Sequence, residues 1–490
     1  MKNRKRIKLN TAVYVLFLIV YVAGHVFLLT CHEAWRDEGQ AWILAKNATL
    51  PQLLADLCSE GHPALWFLFM RPFAKLGMSY EYLGVLSLAL TTAALTILFF
   101  KAPINIAAKI SIALSAVFCY YNPVISRVYA LVLLLVLLLA VLWKERYEKP
   151  VLYGVLVALL FQSHIIMAGL AGGLLLCMAA RCFKKEARTP KQIIGTGIAF
   201  AGMACTFLEL YQRSDTTVYH TVNAASLLET FRETSIVTGI WKTAHALWPG
   251  FCSVVYVALL GCTAIAVLAV LVLLARRNEY RIVGDALVAS VCGIGATVAL
   301  MIWIYSGQYQ MTLCLLISLI FSVWTICTDS CQKSVRAVLS GLTAILCLMT
   351  LPTWLSSAEK DIDTEFSGSR KMSEYIRDNL PEHSVIAVSY DHKISAPYAY
   401  ISSCRKDIFF VNTDTEDEYS YYVWGQSYPQ KTAKEIFNTA QRLSGTEKLY
   451  YLTSSDRDEQ LAEEFERIFT SGESSVRDES YYLYQTKDHS

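Results

Sequence analysis

Eleven stretches of apolar sequence dominate the first 354 residues, each close to the roughly 20 residues that span the hydrocarbon of a bilayer. They fall at 11–30, 82–100, 106–122, 128–143, 151–164, 165–180, 192–210, 250–275, 283–305, 309–327 and 335–354. A bilayer admits only structures whose backbone polar groups are satisfied internally, and a helix does this within a single segment. The expectation is a polytopic α-helical membrane protein of about eleven transmembrane helices. Composition agrees, since 17% of residues are charged and mean hydropathy is +0.39, where a soluble chain is about a quarter charged. Disorder is excluded by 10 Trp, 28 Tyr and 21 Phe. The first run does not read as a cleavable signal, being too long and ending in bulky Phe27-Leu28-Leu29. Most of the 14 Cys lie in apolar runs and read as small core residues, with Cys31 and Cys58 a candidate pair.

Charge is placed very unevenly. Residues 355–490 hold 15 Lys/Arg against 25 Asp/Glu, a net of −10, and the chain before them is +12. Between the spans, alternate connections carry twenty Lys and Arg, and the longer opposite connections carry only eight. Basic loops stay in the cytoplasm, so the N-terminus is expected inside and, after eleven spans, the tail outside. The expected organisation is a transmembrane domain over 1–354, with a first outer loop at 31–81, and a soluble extracytoplasmic domain over 355–490. The chain is thereby expected to be a multi-pass membrane protein. A second outer segment, 211–249, has an amphipathic helical pattern. In the tail, helix patterns at 369–379, 431–443 and 458–469 alternate with strand-like runs at Ser384–Tyr390, Asp407–Val411, Lys448–Thr453 and Tyr481–Gln485. Such alternation predicts a small α/β domain with a largely parallel sheet. The acidic run Asp414–Glu418 reads as a solvated loop.

Polar residues gather at the outer ends of the spans. Trp35-Arg36-Asp37-Glu38-Gly39-Gln40-Ala41-Trp42 follows the first span directly. Two adjacent carboxylates between two Trp suit either chemistry or interfacial anchoring with the charges facing water. Further along the loop, Glu60-Gly61-His62-Pro63-Ala64-Leu65-Trp66 is a polar turn leading into a short interfacial helix. Ser126-Arg127-Val128-Tyr129 places one Arg beside the hydrocarbon, where it needs an anionic partner. His164 stands at another outer end, where a lone His is more often structural than catalytic.

Taken in order, these segments resemble the motifs of the C-type (GT-C) membrane glycosyltransferases, nearest the bacterial relatives of the protein O-mannosyltransferase and aminoarabinose-transferase group. Arg36-Asp37-Glu38 resembles their first-loop Asp-Glu motif. Glu60–Trp66 looks like their His-Pro-Pro-Leu-Tyr/Trp segment, with Ala64 in place of the second Pro. Ser126–Leu131 resembles their Arg-x-Tyr-x-Leu segment, with Val124 and Ile125 where a further Arg often stands. The resemblance covers roughly residues 1–350, and the tail is outside it.

What it implies is transfer of a sugar from a polyprenyl-phosphate carrier to an acceptor outside the cytoplasmic membrane, with inversion. Asp37 would be the general base, supported by Glu38. Arg127, with Tyr129, would meet the carrier phosphate, and Arg36, His62, Pro63 and His164 would line the site. The expected partners are the sugar donor, an acceptor and the lipid bilayer, with no nucleic acid. Glu33, Asp37, Glu38, His62 and His164 have the ligand types for a divalent metal. A carrier with one phosphate needs little charge neutralisation, however, and neither metal nor cofactor is expected. The alternative is a transporter or flippase for a lipid-linked envelope precursor, which would want ionisable groups or broken helices near the midplane.

Overall fold

The computed structural model describes residues 2–184, 186, 188–211, 235–304, 308–330, 332–402, 408–411, 421–425, 428–445, 448–474 and 479–487, with side chains from Leu9 onward. The acidic run at 414–418 and most of the second outer segment lie outside these residues. The described residues fall into two compact units. One comprises Met1–His25, Ser87–Leu208 and Thr221–Ser357; the other comprises Val26–Leu86, Glu209–His220 and Ala358–Ser490.

Among the described residues, eight helices are long and apolar enough to cross a membrane. They are Leu9–Cys31, Tyr80–Lys101, Ile165–Phe183, Pro190–Leu210, Ser253–Arg276, Gly284–Trp303, Tyr309–Asp329 and Lys333–Asp363. The other three expected spans are shorter helices. The helix Pro150–Phe161 has 12 residues, about 18 Å of rise against a hydrocarbon thickness of about 30 Å. It ends before His164, whose extended backbone opens a 3-10 turn, Ile165–Met167. The helix Tyr129–Val141 passes into a 3-10 turn at Leu142–Glu145.

The segment expected at 106–122 is broken into Ile106–Ala113 and Ala116–Cys119. A break frees backbone groups that lipid cannot satisfy, so side chains must take them. Trp354 Nε1 donates to the Leu114 carbonyl at 2.9 Å, and the Ala116 N–H donates to Thr350 Oγ1 at 2.9 Å. At the far end Tyr21 donates to the Phe118 carbonyl at 2.6 Å, and His25 Nε2 lies 2.9 Å from that of Cys119. The freed groups are therefore tied within this unit.

Small residues let the helices approach closely, as membrane packing without a hydrophobic drive between helices requires. A Cβ at Gly195 would lie 2.1 Å from the Pro150 carbonyl oxygen, and one at Gly154 would lie 2.1 Å from that of Gly195. Helices Ala168–Phe183 and Gly284–Trp303 meet the same way, with a Cβ at Gly169 falling 2.2 Å from that of Ala296.

The second unit holds three first-loop helices, Arg36–Asn47, Leu50–Glu60 and Leu65–Lys75, together with the tail. The tail carries a five-stranded sheet of β1 (Val385–Val388), β2 (Ile408–Phe410), β3 (Leu449–Thr453), β4 (Phe465–Thr470) and β5 (Tyr482–Thr486). Strand order is β2-β1-β3-β5-β4. The expected parallel arrangement holds for β2-β1-β3 only, because β5 runs antiparallel to both β3 and β4. The helices expected at 369–379 and 431–443 are Ser369–Asn379 and Ala433–Ser444. The helix expected at 458–469 is a second correction: a single turn, Asp458–Leu461, precedes β4. Leu461, Phe465 and Ile468 have helical spacing, but pairing of Phe465–Thr470 with β5 outweighs that local preference. Helix Ala433–Ser444 packs Ala433, Ile436 and Ala440 on Val385, Ala387, Leu449 and Tyr451.

Replacing Gly195 with Ala is expected to destabilise the protein by about 1–3 kcal/mol, because the new methyl has no room. Gly197 is the control, as its Cβ would meet nothing within 4 Å. Thermal unfolding in detergent should show a lowered Tm for Gly195→Ala and none for Gly197→Ala.

Candidate functional site

The Asp-Glu motif opens the helix Arg36–Asn47, with Trp35 as N-cap, Asp37 second and Glu38 third. An acidic first turn suits the positive end of the helix dipole. The two carboxylates then part company. Glu38 is 1% exposed and accepts the Trp35 N–H at 3.1 Å, closing the helix start on itself. Asp37 keeps a side chain 26% exposed, with Arg36 Nε 3.9 Å from its Oδ1. Of the expected pair, one carboxylate is built into the frame and the other reaches the surface.

Behind Glu38 lies a residue that sequence reasoning passed over. His32 is buried, with Nδ1 2.9 Å from Asp361 and Nε2 3.7 Å from Glu38. Burial alone would lower its pKa, but hydrogen bonds and charge from the two carboxylates outweigh that and push it up to about 9. His32 is thus a buried imidazolium between two acids. Only adjacency to the motif pointed toward it, and nothing local pairs it with a residue 329 positions away.

Tail residues hold the whole approach to the motif. Arg370 donates to the carbonyls of Thr30 and His32, and the Phe366 N–H donates to Glu33 at 2.7 Å. Tyr400 accepts the Ala34 N–H at 3.2 Å, and Ser369 donates to the Ala34 carbonyl at 2.8 Å. Glu479, buried and held by Ser367 and Tyr481, accepts the Arg36 N–H at 3.4 Å. Burial raises the Glu479 pKa, and the hydrogen bonds from Tyr481 and Ser367 pull against it. Gly39 lets a tail helix, Ser395–Ile401, touch the motif helix, since a Cβ there would sit 2.5 Å from the Ser395 carbonyl. Gln40 links both parts, donating to Glu60 at 2.9 Å and accepting from Ser395 at 2.9 Å. Trp42 is 1% exposed and is core here, not an interfacial anchor.

In the second motif, Gly61 ends the helix Leu50–Glu60 with φ of +68°, a conformation that favours glycine. His62 is half-buried and Pro63 buried before the helix Leu65–Lys75. The Ala64 N–H faces Glu209 Oε2 at 3.4 Å, a contact that proline could not make.

Arg127, Tyr129 and His164 belong to the other compact unit. Arg127 is half-buried just ahead of the helix Tyr129–Val141. His164 is fully buried and accepts the Ile166 N–H on Nδ1 at 3.1 Å, so its proton sits on Nε2, 3.4 Å from the Tyr129 hydroxyl. That makes His164 a cap of the 3-10 turn. Cys31 and Cys58 are both free thiols. Among the described residues, no three His, Cys, Asp or Glu are disposed to hold a metal ion.

Helices able to cross a membrane and a five-stranded mixed sheet define the class of this protein. No protein-family model matches the chain, and no curated protein matches it in sequence.

The pH dependence of stability should carry the mark of His32. Its folded pKa lies above the unfolded value of about 6.5, so its contribution is complete below that pH and lost as pH rises through about 9. The loss is expected to reach ~3 kcal/mol at most. Thermal unfolding between pH 6 and 10 should show the decline in the wild type and a flatter profile in His32→Gln.

Proposed function

We propose that this chain is a multi-pass glycosyltransferase of the cytoplasmic membrane, moving a sugar from a polyprenyl-phosphate carrier to an acceptor on the outer side with inversion. The observation that carries the reading is the division within the motif, where Glu38 is consumed in the frame and Asp37 stays at the surface. A single displacement needs one available base, and a rigid helix start is a good place to hold it.

In this reading Asp37 takes the proton of the acceptor hydroxyl as its oxygen bonds the anomeric carbon. The bond from that carbon to the phosphate oxygen breaks, and polyprenyl phosphate leaves with the electron pair. Such a leaving group needs no strong acid, and one displacement inverts the configuration. Glu38 and His32 act as positioning residues for the motif. Arg127 and Tyr129 serve the carrier phosphate, and Arg36, His62 and Pro63 belong to the loop that carries the base. Eleven membrane-embedded segments, three of them short or broken, and an outer tail complete the proposed topology.

A groove of about 1030 Å3 between helices Ala168–Phe183, Pro190–Leu210 and Gly284–Trp303 supports a lipid-linked substrate. Gly172, Leu176, Gly197, Phe200 and Met203 line it. A Cβ at Gly172 or Gly197 would meet nothing within 4 Å, leaving room for an isoprenoid chain. The transporter alternative draws on the break at 114–115, but the groups freed there are tied by side chains rather than offered to a solute.

Release of free polyprenyl phosphate from a panel of polyprenyl-phosphate sugars is the test. Asp37→Asn should lower turnover by about 10²–10⁴-fold in a protein that still inserts and folds; near-normal turnover would remove Asp37 as base. Arg127→Ala should raise the donor KM by roughly tenfold with less change in kcat. Gly172→Trp should raise the same KM by filling the groove, with thermal unfolding unaltered.

A further inference from the structure

The tail sheet contains a topological switch point. From β1 the chain passes to β2 on one side, and then to β3 on the other side of β1. In open sheets of parallel strands such a reversal leaves a crevice at the carboxyl ends, and ligands bind there. Here the crevice lies beyond Val388 of β1 and Thr453 of β3.

The residues at that place are of one kind. Asp391 follows β1, and its Oδ2 accepts from Ser454, which follows β3, so the two loops are joined across the crevice. His392 Nδ1 lies 3.0 Å from Asp391 Oδ1, and the two side chains remain 28% and 26% exposed. Aromatic rings surround this pair. Trp424 lies 5.0 Å from the His392 ring and 5.4 Å from Tyr422, to which it stands nearly perpendicular. Tyr390 lies 4.9 Å from Tyr422 and 4.8 Å from Tyr428. Trp424, Tyr422 and Tyr428 are all half-buried. Burial opposes charge on Asp391, but bonds from His392 and Ser454 hold its carboxyl down at about 2, fully ionised.

We infer that this switch-point crevice is a saccharide-binding site, with Trp424 stacking on a pyranose, Tyr422 meeting its edge, and Asp391 and His392 bonding its hydroxyls. A pyranose has an apolar C–H face and a rim of hydroxyls, so it needs an aromatic plate beside a charged acceptor and a donor. A phosphate would be repelled by the Asp391 carboxylate. The inference deepens the transferase reading, on which it rests for its meaning, by making the acceptor a glycan. The crevice is also joined to the first loop. Gln40 donates to the Tyr422 carbonyl at 2.5 Å, and Tyr421 donates to Asp56 at 2.9 Å. The same Gln40 holds Glu60, so a glycan seated on Tyr422 would lie against the helices that carry both loop motifs.

The test uses the full chain in nanodiscs without donor. Binding of neutral hexose and N-acetylhexosamine oligosaccharides would be read by saturation-transfer NMR and tryptophan fluorescence. Wild type should bind at least one class. Trp424→Ala should weaken it about tenfold or more, and Trp424→Phe, which keeps a ring, about threefold or less. Failure of the wild type to bind any saccharide overturns the inference, as does binding undiminished in a Trp424→Ala protein of unchanged Tm. Donor cleavage by the wild type is measured separately. Cleavage without saccharide binding removes this site and leaves the transferase reading; binding without cleavage on any donor does the reverse.

Discussion

One buried cation organises the second unit. His32 stands between Asp361 and Glu38 with almost no access to water, and its charge is tolerable there because two carboxylates face it. Removing His32 leaves the buried carboxylates without their cation, a far larger penalty than loss of a surface pair. The clamp therefore does more than add stability. It ties the end of the first long helix, the start of the motif helix and the entry to the tail to a single point.

The motif follows from that arrangement. Glu38, committed to His32 and to its own helix start, fixes the orientation of the turn in which Asp37 sits one residue earlier. Successive residues on a helix point about 100° apart, so burying one frees the next to face outward. Gly39 then sets how near the tail can come, and Gln40 how it is held. Four consecutive residues thus have four different duties. The tail is a structural member of this loop, since Phe366, Ser369, Arg370, Tyr400 and Glu479 bond the backbone or side chains of residues 30–36.

Legibility differed by element. Long apolar runs such as 250–275 and 309–327 became helices within a few residues of their expected bounds, because hydropathy over twenty residues is a local sum. The run at 106–122 was expected to span as well but breaks, and Thr350 and Trp354 supply the bonds that make the break tolerable. Helix Ala433–Ser444 was legible from its capping box and its Gly445 stop. Strand β4 was not, since its partner β5 is what makes it a strand. The motif carboxylates were visible as a pair, yet their unequal burial was not, and His32 and Asp361 drew no signal from their surroundings.

By itself the sequence determined the helical, membrane-suited character of the chain and the α/β character of its tail. These are properties of composition and short-range periodicity, which any window of twenty residues carries. Tertiary structure alone decided which carboxylate is buried in the frame and which stays half-buried, where a span breaks, and that the sheet turns antiparallel after β3. Each of those depends on partners tens to hundreds of positions distant, and a buried charge or a freed carbonyl is settled by what meets it in space.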